Sequence, residues 1–130
     1  MTYNEVKVIL ETHIRDNWLE TPVFFDNIEL NDNIQEAFIR VSIEFPRTEF
    51  LSIGDTSLRR VFGKLRLDVF DLVGTGSGYA TELCQTLADL FTGAKIQGIQ
   101  FNAPTISNNG AIEKWYWMAV YNTFYFEIGV

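Results

Sequence analysis

A chain of 130 residues, 47% hydrophobic and 21% charged, is long enough to bury one core, too short for two, and unlike a disordered tail or low-complexity spacer. Ten Lys and Arg against seventeen Asp and Glu leave a net charge of −7, which opposes general binding to a polyanion. A single cysteine, Cys84, excludes an intramolecular disulfide, and a single histidine, His13, leaves few ligands for a transition metal.

At the start, Met1-Thr2-Tyr3-Asn4-Glu5 lacks the basic-then-apolar pattern of a secretory signal. The longest apolar run, Trp115 to Tyr121, is far too short to span a bilayer. The expectation is one soluble domain over residues 1–130, with no membrane partner. Thr2 and Glu5 fit a capping box, and Val6, Ile9, Leu10, Ile14 and Trp18 recur at helical spacing. A first helix is placed at about residues 3–18, ending before Pro22. Val23-Phe24-Phe25 reads as a short strand, followed by a polar loop from Asp26 to about Glu36.

Ala37, Ile39, Val41, Ile43 and Phe45 alternate with Phe38, Arg40, Ser42 and Glu44, the period of a half-buried strand. Residues 46–60 form a polar segment with an apolar patch at Phe50-Leu51-Ser52-Ile53 and a turn signal at Gly54-Asp55, as in an extended hairpin arm. A second alternating strand puts Val61, Leu65, Leu67 and Val69 inward and Lys64, Arg66 and Asp68 outward. After Gly74-Thr75-Gly76-Ser77-Gly78, a second helix carries Ala80, Leu83, Cys84, Leu87, Ala88 and Phe91 on one stripe and stops at Gly93. A strand near 94–101, a turn at Asn108-Asn109-Gly110 and a long strand from about Ile112 to Ile128 complete the order α-β-β-β-α-β-β. The predicted class is α+β: about five mixed or mostly antiparallel strands with both helices on one face.

No motif for catalysis survives scrutiny. A P-loop needs Lys and then Ser or Thr after its last glycine, but Tyr79-Ala80 follow Gly78, and a dinucleotide fingerprint fails at Tyr79 and Thr81. Cys84 on an apolar stripe reads as a buried inert thiol, and His13 as a packing histidine rather than its dyad partner. Asp26, Glu29, Asp32 and Glu36 lack EF-hand spacing, and Asp68 with Asp71 gives only slight support for paired-carboxylate chemistry. The expectation is no catalytic residue, no cofactor and no metal.

The final strand is the informative one. Trp115, Trp117, Ala119, Tyr121, Thr123 and Tyr125 lie on one face; Tyr116, Met118, Val120, Asn122, Phe124 and Phe126 lie on the other. Two helices cover one sheet face, so aromatic side chains remain on the second. Four of them, at about 150–250 Å² each, would exceed the roughly 300–600 Å² patch of an ordinary monomer. Either the segment 46–60 folds over that face or the face meets another copy of the chain, and the abundance of Tyr and Trp favours the second.

The capped first helix, the stretch Thr21-Pro22-Val23-Phe24-Phe25-Asp26-Asn27, the strand Lys64-Leu65-Arg66-Leu67-Asp68-Val69-Phe70 entering the glycine cluster, and the aromatic terminal strand together resemble the tail terminator proteins of long-tailed bacteriophages, a tail-terminator-like group engaged in head–tail joining. The resemblance implies a homo-oligomeric ring, usually of six subunits, that caps the tail tube, ends tube-protein addition and presents its other surface to a head-connector or head-completion protein. It places the protein in the virion, at the head-proximal end of the tail, after assembly in the host cytoplasm. Binding, not catalysis, is the implied mechanism, with no sequence-specific nucleic-acid contact. Trp115, Trp117, Tyr121 and Tyr125 are then the expected packing surface. Phe50, Leu51, Ile53, Arg59 and Arg60 are the expected arm contacts to a neighbouring subunit or the tube. Two other readings stay open. One is another tail, tail-tube or joining protein of the same fold. The other is a small-molecule-binding domain or enzyme with an aromatic pocket, with an anion site near Ser77 at the start of the second helix.

Overall fold

The computed structural model describes residues 1–25, 36–51, 58–72, 74, 78–92 and 95–129. Helices α1 (Tyr3–Asn17) and α2 (Gly78–Phe91) accompany strands β1 (Val23–Phe24), β2 (Phe38–Phe50), β3 (Arg59–Leu72), β4 (Lys95–Ile96), β5 (Ile99–Phe101), β6 (Thr105–Ile112) and β7 (Trp115–Ile128). The sheet runs β1-β2-β3-β7-β5-β4, with β6 also pairing along β7. Every pairing is antiparallel except that of β1 with β2. The α+β class with two helices on one face therefore stands, with seven strands among the described residues where about five were expected.

The α1 cap forms as the sequence dictates: Thr2 Oγ1 accepts a hydrogen bond from the Glu5 backbone N–H at 3.1 Å. Val6, Leu10 and Ile14 then face the sheet, and Trp18 packs below them. The α2 stripe is buried at all six predicted positions. Both stripes join one core with Ile39, Val41 and Ile43 of β2, Val61, Leu65, Leu67 and Val69 of β3, and the even-numbered side of β7. Residues opposite one another in neighbouring strands share a face, so the register gives inner rows such as Ile39–Val69–Met118 and Val41–Leu67–Val120.

Three expected boundaries are corrected. The segment 94–101 is not one strand: Ile96 pairs with Ile99 across a two-residue turn, with Gln97 and Gly98 both at positive φ, 46° and 91°. That mirrored turn matches the twist of the flanking strands. Asn108-Asn109-Gly110 is not the turn before the last strand but a bulge inside β6, where the register against β7 shifts and Gly110 takes φ +78°. The reversal falls at Glu113-Lys114, so β7 starts at Trp115 rather than near Ile112. Nor does Pro46 end its strand. β2 continues through a register shift between Glu44 and Arg47, and a bulge tolerates a residue with no N–H. The pairing then extends to Phe50 opposite Arg59, with a further Leu51 N–H to Leu58 carbonyl bond of 2.9 Å.

Two inner-face residues answer to space and polarity. Opposite Phe124 in β3 stands Gly63, where an added Cβ would overlap the Phe124 ring. That ring is held by Phe45, Phe101 and Phe126 and cannot swing aside. Asn122 is fully buried opposite Leu65, and neither of its amide atoms has a hydrogen-bond partner among the described residues. In denaturant melts, Gly63→Ala is expected to lose about 1–3 kcal/mol from overpacking. Asn122→Leu is expected to gain about 1–2 kcal/mol by removing an unsatisfied amide from the core. A stability loss in Asn122→Leu would mean that the amide is satisfied after all.

Candidate functional site

The helices leave the second face of β2, β3 and β7 uncovered, and the register orders its side chains into rows. Phe38, Phe70 and Trp117 form the first row, stacked across three strands with ring centroids 4.8 and 5.8 Å apart. Arg40, Asp68 and Ala119 form the next, then Ser42, Arg66 and Tyr121, then Glu44, Lys64 and Thr123. Past the bulge come Arg47, Phe62 and Tyr125, and finally Glu49, Arg60 and Glu127.

Cations roof the rings. Arg47 lies 4.1 Å from the Phe62 centroid, Arg60 4.6 Å from Tyr125, Lys64 4.5 Å from Tyr121, and Arg66 5.5 Å from Trp117. Trp115, Trp117, Tyr121 and Tyr125 are consequently half-buried rather than bare. The large naked aromatic patch expected from the sequence is thus replaced by a mixed aromatic and cationic surface. Of the segment 46–60, the described residues 46–50 and 59–60 continue in the plane of the sheet and do not fold over this face.

Asp68 organises the centre. It lies on the outward face as expected, yet it is only 6% exposed. Its Oδ1 accepts hydrogen bonds from Arg66 Nε and from Trp117 Nε1, each 2.9 Å long. Two donors compensate for burying the carboxylate. Burial works against the Arg66 charge, but the Asp68 hydrogen bond and nearby carboxylates hold its pKa above the ordinary arginine value. At the other end of the face, the Glu127 hydrogen bond of 2.8 Å raises Arg60 in the same direction. Beside Asp68 a shallow groove of about 350 Å³ opens between Arg40, Ser42, Arg66, Trp117 and Ile112.

The expected interface residues divide between two surfaces. Trp115, Trp117, Tyr121, Tyr125 and Arg60 share the open face. Phe50 and Arg59 fall in register with Ile128 on the helix side, beyond the reach of the helices. Phe50 is 74% exposed there, with the exposed Leu51 next to it. Ile53 lies outside the described residues, as do Asp26, Glu29, Asp32, the turn at Gly54-Asp55, Ser77, Gly93 and Ala94. Arg40 and Asp68 were missed as neighbours because their meeting depends on the β2–β3 register, which no local pattern displays.

The remaining chemical candidates are kept apart by the fold. Asp68 and Asp71 face opposite sides of β3, in line with an odd spacing on a strand, so they form no carboxylate pair. His13 packs its ring 5.3 Å from Phe91, and among the described residues nothing joins it to Cys84. No group of three or more His, Cys, Asp or Glu able to hold a metal occurs among the described residues.

No family model matches the sequence, and no curated protein matches it. One solved structure, of a protein known only by a sequence number, superposes with a TM-score of 0.74 at 15% identity, covering 98% of this chain and 97% of that one. At that identity the likeness shows the fold alone.

Burial pushes the Cys84 thiol up to about 11 from an ordinary 9.0. The unfolded chain therefore ionises first, so the stability this thiol contributes is intact below about pH 9 and lost as pH rises toward 11. Native protein at about pH 8 is expected to resist a thiol reagent until denaturant is added, and Cys84→Ala is expected to lose that part of the alkaline slope. Rapid labelling of the folded chain would contradict this.

Proposed function

We propose that this chain is a ring-forming assembly subunit of the tail-terminator kind, which caps a phage tail tube and presents a joining surface to the head. One observation carries the reading: Phe50 stands 74% exposed on β2 at the end of the sheet where β2, β3 and β7 run side by side, on the face opposite the open aromatic one. A ring needs two different surfaces that meet head-to-tail and close by rotation. The exposed apolar corner at Phe50 and Leu51 on one side and a flat aromatic and cationic face on the other are such a pair. A phenyl ring left in water is also what a partner would be expected to cover.

The remaining properties are consistent with a binding role. A net charge of −7 suits a collar through which nucleic acid passes without adhering. The tail-tube protein and a head-connector protein are the partners that this role requires. The tube subunit of the same fold is the nearest rival, and it differs in forming open filaments where a terminator forms closed rings.

Sedimentation velocity and negative-stain microscopy of the full chain test the proposal. The expected result is closed rings with a mass about six times the 14.9 kDa chain, reduced to single subunits with an unchanged circular dichroism spectrum by Phe50→Asp. A wild-type chain that stays at 14.9 kDa at high concentration, or that forms filaments, would contradict it.

A further inference from the structure

The geometry points to the groove beside Asp68 as a carboxylate receptor for the outer stripe of α2 on a second copy of this chain, an inference that rests on the ring-forming reading above. The argument begins with unequal charge. The open face holds five of the ten basic residues, Arg40, Arg47, Arg60, Lys64 and Arg66, but only four of the seventeen acids, Glu44, Glu49, Asp68 and Glu127. On the helix side, α1 carries Glu5, Glu11 and Asp16 against Lys7 and Arg15, and α2 carries Glu82 and Asp89 against no base. The helices of a second copy therefore meet this face with negative charge, whereas two helix layers would set acid against acid.

Within that face the groove is where donors are left over. Arg66 spends its Nε on Asp68, and among the described residues its two terminal nitrogens make no hydrogen bond. Among the described residues no carboxylate partners the exposed Arg40. The buried Asp68 fixes both Arg66 and Trp117, so the guanidinium and the indole wall are preorganised before anything binds. Ile112, 49% exposed, supplies an apolar rim. A planar anion flanked by an apolar or aromatic group matches these elements, and arginine forks favour carboxylate geometry.

α2 carries that combination. It contains no basic residue, and its exposed stripe runs Tyr79, Glu82, Thr86 and Asp89, at helical spacing. Tyr79 is 45% exposed one turn before Glu82, the acid of the stripe with no side-chain partner among the described residues, while Asp89 accepts from Gln85 at 3.0 Å. Phe50 projects from the same side of the sheet as α2. The helix stripe and Phe50 of one copy would thus approach the open face of the next together.

Charge exchange tests this in the full chain, with sedimentation as the readout. Arg40→Glu and Glu82→Arg are both surface changes and should leave the circular dichroism spectrum unaltered. Each alone should weaken self-association about 100-fold, and the double variant should recover to within about tenfold of wild type. Wild-type association should also weaken as salt rises from about 50 to 500 mM. Single variants that assemble like wild type would overturn the inference and leave the ring standing, while a wild-type chain that never assembles would remove both. A labelled single-stranded oligonucleotide held by wild type and released by Arg40→Glu would assign the groove to phosphate, which also overturns it.

Discussion

The structure depends on how a strand with two apolar faces is satisfied by helices sufficient for one. β7 turns Met118, Val120, Phe124 and Phe126 toward α1 and α2, where they are buried. Its other side carries two indoles and two phenols that no helix reaches. The fold covers Trp117, Tyr121 and Tyr125 with Arg66, Lys64 and Arg60 of β3 and pins the centre with a buried carboxylate. Asp68 is the fixed point: without it Trp117 would lose its hydrogen-bond acceptor and Arg66 its ion-pair partner, on a face with no second layer to compensate.

That arrangement explains the aromatic content of 15% without a hydrophobic patch of unusual size. On the helix side, Phe91, Phe101, Phe124 and Phe126 pack in tilted and stacked contacts within the core. On the open side, Arg47, Arg60, Lys64 and Arg66 lie over Phe62, Tyr125, Tyr121 and Trp117, so charge shields these rings and the cation stems run along apolar surface. Such a face remains soluble in isolation yet retains the Trp, Tyr and Arg side chains that carry energy when an interface closes. The ring that remains bare among the described residues is Phe50, at the end of β2.

The helices were legible because a 3.6-residue stripe is a local signal; all six inner positions of α2 are those the spacing names. The inward residues of β2 and β3 were legible for the same reason, with a period of two. The errors arose where local chemistry has two meanings. Asn108-Asn109-Gly110 has turn composition, but its glycine serves a bulge, while Glu113 takes φ +55° at the real reversal with no glycine to announce it. The groove was illegible because Arg40 and Asp68 are neighbours only through the register of two strands. The parity of the arm residues was illegible too: of the contacts expected there, Phe50 and Arg59 face the helix side while Arg60 faces the open side.

A single reporter can follow the open face directly. With Trp18 and Trp115 both changed to Phe, Trp117 is the sole indole, and its emission reads the polarity beside Asp68. Dilution from high micromolar to nanomolar concentration should shift that emission to the red as the face parts from its neighbour and becomes wet. An emission spectrum unchanged by dilution, from a chain that is monomeric throughout, would contradict the claim that this face is completed by a second copy.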